Sequence, residues 1–181
     1  KALQGALNTT IKLQGNLNND MTPDLKTIAG NAFAKVLAAR VDTSKTPLLS
    51  KLSEKVSFLN LGNIDLNDLQ TQLTFDNGNI NVTPFDFNVK GIKVTAGGSH
   101  GLDQTMNYNV TLDVPAKYMG SQVSGLLSSL SAQELEAMTV GLPINLTGTF
   151  SNPQVSLNTQ AAVNSLTQRI VEKQKNDLKD K

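Results

Sequence analysis

Apolar and polar side chains alternate along much of this chain with a period of two. Met106, Tyr108, Val110, Leu112 and Val114 interleave with Asn107, Asn109, Thr111 and Asp113, so an extended backbone carries every apolar side chain of the segment on one side. That is the mark of a half-buried antiparallel strand. Leu7, Thr9, Ile11 and Leu13 against Asn8, Thr10, Lys12 and Gln14 predict an opening strand that ends at Gly15. Leu142, Ile144 and Leu146 predict another before Gly148, with Phe150 beyond. Leu69, Leu73 and Phe75 run into Asp76-Asn77-Gly78, and Ile80 and Val82 alternate with Asn79 and Asn81 after it. Two alternating runs around Asn-Gly predict a β-hairpin.

Past the hairpin the apolar phase changes twice, from Ile80 and Val82 to Phe85, Phe87 and Val89 across Pro84, then to Ile92, Val94 and Ala96 across Gly91. A one-residue slip turns the oily set to the wrong face, so Pro84 and Gly91 are expected to be bulges or bends where one long strand keeps its face while curving. A bent sheet follows. Gly97, Gly98 and Gly101 are expected to surround a turn leading to the strand at 105–114, which Pro115 ends.

Helical signals lie between the strands. Thr22 before Pro23 and Thr46 before Pro47 look like N-caps with proline at the first helical position, predicting a short turn at 23–28 and an amphipathic helix carrying Leu48, Leu49, Leu52 and Val56. Residues 31–41 read both ways: Phe33, Val36, Leu37 and Val41 form a helical stripe, whereas Phe33, Leu37, Ala39 and Val41 form one face of a strand. Alanine-rich propensity favours the helix. Val123, Leu126, Leu127 and Leu130 have helical spacing within 118–130, and Ser131 with Glu134 makes a capping-box pattern. A last helix from about 159 turns Val163, Leu166 and Ile170 inward and Gln168, Arg169, Glu172, Lys173 and Lys175 outward, then gives way to a polar tail at 173–181. The predicted fold is a single α+β domain over 1–181, mainly β. It is a curved antiparallel sheet whose apolar concave face is partly covered by about three amphipathic helices. One internal echo stands out: Ile11-Lys12-Leu13-Gln14-Gly15 aligns with Ile144-Asn145-Leu146-Thr147-Gly148.

Composition narrows function mostly by exclusion. The 181 residues hold 16 Lys plus Arg against 15 Asp plus Glu, for a net charge of +1, so no basic field marks a nucleic-acid partner. With no cysteine, disulfides and thiolate chemistry are excluded. His100 is the sole histidine, which excludes triads and paired-histidine metal sites; as a lone base it is a weaker reading than a polar residue of a glycine-rich loop. Asp65 with Asp68, or Asp76 with Asp86, match no ligand loop, and turn or cap roles suit them better. Asn8, Asn81, Asn109 and Asn145 open Asn-x-Ser/Thr sequons, but alternating Asn and Thr on strands generates that motif by itself. No catalytic residue, metal site or cofactor is expected. No apolar run reaches the about 18 residues of a spanning helix. A chain opening at Lys1 reads as a processed product or excised fragment, with any anchor or export signal upstream.

What covers the oily face is therefore the functional question. The candidate core or lipid-facing side chains are Val82, Phe85, Phe87 and Val89, then Ile92 and Val94, then Met106, Tyr108, Val110 and Leu112, and finally Ile144 and Leu146. The residues alone leave both a sealed core and a lipid-holding groove open, the sealed core being the plainer.

Two motifs bear on that choice. The stretch Gly98-Ser99-His100-Gly101-Leu102-Asp103-Gln104-Thr105-Met106-Asn107-Tyr108-Asn109-Val110, continuing to Leu112-Asp113-Val114-Pro115, resembles a strand pair near the end of AsmA-like proteins. Leu142-Pro143-Ile144-Asn145-Leu146-Thr147-Gly148-Thr149-Phe150-Ser151-Asn152-Pro153 is similar to the same family's closing motif, and Asn19-Asp20-Met21-Thr22-Pro23 with Gly30-Asn31 fits its C-terminal region. The resemblance implies the C-terminal, noncatalytic module of a Gram-negative envelope protein that is mostly periplasmic, anchored in the inner membrane upstream, and engaged in outer-membrane biogenesis. It implies phospholipid acyl chains, the upstream segment of the same protein and other envelope proteins as partners. It also turns 31–41 toward strand. Three helices plugging a short groove would set this chain apart from larger relatives that pass lipid along an apolar β-groove.

Overall fold

The computed structural model describes residues 3–42, 45–57, 63–122 and 130–179. Their strands are β1 (Leu3–Gln14), β2 (Ala29–Asp42), β3 (Asn63–Asp76), β4 (Asn79–Val89), β5 (Ile92–Gly101), β6 (Thr105–Pro115), β7 (Thr139–Thr149) and β8 (Pro153–Leu157). They form one eight-stranded antiparallel sheet in chain order, each strand beside the next. The helices are α1 (Pro47–Lys55), α2 (Ala132–Ala137) and α3 (Thr159–Lys179), with 3₁₀ segments at Leu25–Thr27 and Ala116–Gln122. The α+β, mainly β architecture expected from the alternation is the one observed.

Strand register sorts the sheet into an oily and a polar face. One transverse row runs Ile11, Ala32, Leu73, Val82, Gly98, Tyr108, Leu146, Val155, and the next runs Lys12, Asn31, Thr74, Asn81, Ser99, Asn107, Thr147, Gln154. Curvature shows in where α1 sits. Although it connects β2 to β3, it packs on β8, and Lys51 Nζ donates to the Pro153 carbonyl at 2.7 Å. The sheet therefore wraps its apolar face around α1.

Bulges keep the phase. Ala6 pairs with Ala38 but Leu7 with Val36, so Leu37 is the extra residue of β2. Its oily set becomes Ala32, Ala34, Val36, Ala39 and Val41, with Phe33 on the opposite face. The ambiguous segment is thus a strand, and its periodicity was blurred by the bulge. Across from it, Asp68 is the extra residue of β3 and adopts φ 53°. In β4 Val82 pairs with Gly98 and Phe85 with Ala96, which makes Thr83 and Pro84 a bulge opposite Gly97, as expected for a residue without an N–H. A Cβ on Gly97 would stand 2.8 Å from Pro84 Cα, so the bulge requires glycine there.

Several expectations are corrected. Gly91 is not a bend in a long strand: Lys90 (φ 51°) and Gly91 (φ 84°) form a two-residue turn that reverses the chain between β4 and β5, like Asn77 (φ 47°) and Gly78 (φ 77°) between β3 and β4. Gly97, Gly98, His100 and Gly101 lie within β5 rather than around a loop; the turn falls at 102–104. Asp24, not Thr22, caps the short 3₁₀ turn, accepting from the Lys26 amide, and the Thr46 side chain does not cap α1. The helix expected at 118–130 begins instead as a 3₁₀ segment, and Val123, Leu126 and Leu127 lie outside the described residues. The Ser131–Glu134 capping box forms as expected at α2. The segment expected as a tail from 173 continues as helix to Lys179.

The core fills one half of the concave face. Val56, Val114, Val140, Ile144, Ala162 and Leu166 are fully buried where α1, α3 and the 116–122 segment lie over β6 and β7. The valine, isoleucine and leucine side chains among them stabilise by about 1.5–3 kcal/mol each. Arg169 of α3 donates to the Thr139 carbonyl at 2.9 Å, and Lys173 pairs with Glu134 of α2.

Candidate functional site

Toward β1 no described helix covers the same face. On β1 the inward residues Leu7, Ile11 and Leu13 are 58%, 53% and 49% exposed. On this face lies a cavity of about 170 Å³ whose described lining residues are all Val, Leu, Ile, Phe or Ala. Leu49 and Leu52 of α1 and Val56 just after it roof the cavity, Val41, Ile64 and Leu66 form one wall, and Phe87, Val89, Ile92, Val94, Ala96, Val110, Leu112 and Leu146 form the floor and the other wall. A cavity of this volume accepts a ligand about as large as benzene.

The walls part because β3 and β4 pair over a short stretch only, from Leu73↔Val82 to Asp76↔Asn79. Thr71 Oγ1 still donates to the Thr83 carbonyl at 2.9 Å. Past it the bulges at Asp68 and Pro84 turn the two strands away from pairing among the described residues. The lips of this split, Ile64 and Leu66 on β3 and Phe87 and Val89 on β4, both line the cavity.

All twelve sequence-predicted residues fall on the concave face, but they do different things. Phe87, Val89, Ile92, Val94, Val110, Leu112 and Leu146 line the cavity, whereas Ile144 is sealed in the core and Met106 is buried across from His100. Val82 is buried on the row that continues toward β1; Phe85 is half-buried and stacks on Phe87 with ring centroids 5.6 Å apart. Pattern reading missed Ile64 and Leu66, which lie out of phase with Leu69 behind the Asp68 bulge. It treated the α1 stripe as packing only; Leu49, Leu52 and Val56 belong to the cavity as well.

Tyr108 breaks the apolar floor together with His100. The Tyr108 hydroxyl lies 2.8 Å from His100 Nδ1, and Phe150 meets the imidazole edge-on at 5.4 Å. Burial holds the imidazole below its ordinary pKa and pushes the phenol above its own, so both are neutral at pH 7.

The carboxylates considered earlier are engaged separately. Asp65 takes Arg40 at 2.9 Å, Asp68 faces Lys35 at 3.9 Å, Asp76 accepts from Asn77 in its turn, and Asp86 binds Lys93 at 2.8 Å. Among the described residues no three His, Asp or Glu side chains gather to hold a metal ion, and no helix is long and apolar enough to cross a membrane. The chain matches no family model, no curated protein and no solved structure.

Proposed function

We propose that this chain is a noncatalytic, periplasmic module of an AsmA-like envelope protein, anchored in the inner membrane upstream, that takes part in outer-membrane biogenesis by holding phospholipid acyl chains along its β-trough. The observation that carries the reading is the cavity: about 170 Å³ whose described lining is wholly apolar, on the same concave face as the exposed inward aliphatics of β1. Acyl methylenes entering it gain about 0.8 kcal/mol each by leaving water. Nothing in that gain requires a reactive group. Native mass spectrometry after gentle purification tests the reading, together with titration of a fluorescent acyl probe. Copurified lipid and saturable probe binding are expected; absence of both overturns the proposal.

A second reading is favoured by the outer edge of β1, which carries no partner strand among the described residues over Leu3–Gln14. In it, α1 and α3 seal the core and that edge pairs with the upstream segment or another envelope protein. β1 amides would then become protected from hydrogen exchange when the upstream segment is present, with no lipid bound.

A further inference from the structure

We propose that the trough takes a single-chain amphiphile in one orientation, with its tail beneath α1 and a hydrogen-bond-accepting headgroup, a carboxylate or phosphate ester, at His100 and Tyr108. The inference rests on the lipid reading above and adds a direction and a headgroup chemistry to it.

Inward positions of the described strands are apolar apart from Thr9, Thr71, His100 and Tyr108. Only the last two adjoin, joined at 2.8 Å. When the phenol donates to Nδ1, the imidazole proton sits on Nε2, a donor left for an acceptor from outside the pair. A neutral donor in an apolar trough favours an accepting headgroup over bare hydrocarbon, because a paired donor loses less on leaving water.

The tail has a path from that pair. Tyr108 lies directly across from Leu146, which lines the cavity, and from Gly98 on β5, two residues from the cavity-lining Ala96. Gly98 presents no side chain to block the floor between them. From His100 to Ile92 the trough runs about 26 Å at about 3.3 Å per strand residue, against about 15 Å for the hydrocarbon of one leaflet. A single chain therefore reaches from the polar pair into the cavity. At about 170 Å³ the cavity holds the end of one chain and not two side by side.

The test uses the full chain, whose single histidine gives one imidazole signal. Palmitate, lysophosphatidate and uncharged methyl palmitate each displace a bound fluorescent acyl probe while the His100 ¹⁵N resonances are followed. The expected result is about ten-fold tighter binding of one or both anionic ligands than of the ester, with the tighter anion naming the headgroup. The Nε2 signal moves with that anion, and Tyr108→Phe, which keeps the ring and its packing, abolishes the preference. His100→Gln is the second variant, with the fold of each checked by circular dichroism. Equal binding of all three ligands overturns the orientation while leaving the lipid reading intact, as does a preference that survives both substitutions. Failure of all three to displace or bind sinks the lipid reading and this inference with it.

Discussion

Ile11 and Ile144 hold the same place in the two echoing stretches, yet Ile11 is 53% exposed on β1 whereas Ile144 is 0% exposed on β7. Truncating both to alanine asks whether the concave face is one core or two unlike halves. Ile144 packs in the cluster with Leu142, Leu166 and Ile170, so Ile144→Ala removes buried methyl groups and leaves a cavity, at about 2–5 kcal/mol. Ile11 has about half of its surface in water already, and full burial of such a side chain is worth about 1.5–3 kcal/mol, which bounds Ile11→Ala near 1 kcal/mol. Urea unfolding at equal m-values reads the difference: at about 2 kcal/mol/M, a 3 kcal/mol loss lowers the midpoint by about 1.5 M, and the Ile11 variant shifts by about 0.5 M. Equal losses at the two positions would refute the reasoning, since they would mean that the face over β1 is covered in solution. A loss below about 1 kcal/mol at Ile144 would refute it from the other side.

Two further predictions concern backbone and charge. Gly91→Ala meets nothing within 4 Å and suffers only from its φ of 84°, so it costs about 1–2 kcal/mol; Gly98→Ala, whose Cβ would stand 2.3 Å from the Asn107 carbonyl oxygen, lowers the thermal midpoint several-fold more. Comparable midpoints would show that β5 and β6 do not approach as described. Glu134 is held down to about 2 by Lys173 first and by Ser131 second, against an ordinary 4.5. A depressed carboxylate favours the fold above its unfolded pKa and loses that contribution as pH falls from about 4.5 toward 2. The thermal midpoint of Glu134→Gln should accordingly lie below that of the unsubstituted chain at pH 7 and converge with it near pH 2; a gap independent of pH would exclude the carboxylate as its source.

Much of the fold was legible because its signals are local. Alternation fixed the inward faces of β6 and β7, Asn77-Gly78 fixed its hairpin, and Ser131 with Glu134 fixed the start of α2. Phase changes were legible as events but not as kinds. Pro84 and Gly91 looked alike, yet one is a bulge and the other a chain reversal, since only the pairing partner across the gap distinguishes them. β2 hid behind the extra residue at Leu37, and its alanines gave a helical propensity that sheet pairing on both sides overrode. His100 reads as a loop residue in the sequence because glycines surround it; Gly97 and Gly98 instead allow the close approach of the Pro84 and Asn107 backbone to β5.

By itself the sequence determined which side chains share a face wherever a strand runs without a change of phase, because neighbouring residues point to opposite sides of an extended backbone. It also determined, as a matter of composition, that the chain has no cysteine and a single histidine. Only the tertiary structure decided which half of that face is covered. This depends on how far the sheet curls and on α1 reaching β8 from between β2 and β3. The cavity, the split between β3 and β4, and the meeting of His100 with Tyr108 arise the same way, from contacts between strands that no local pattern specifies.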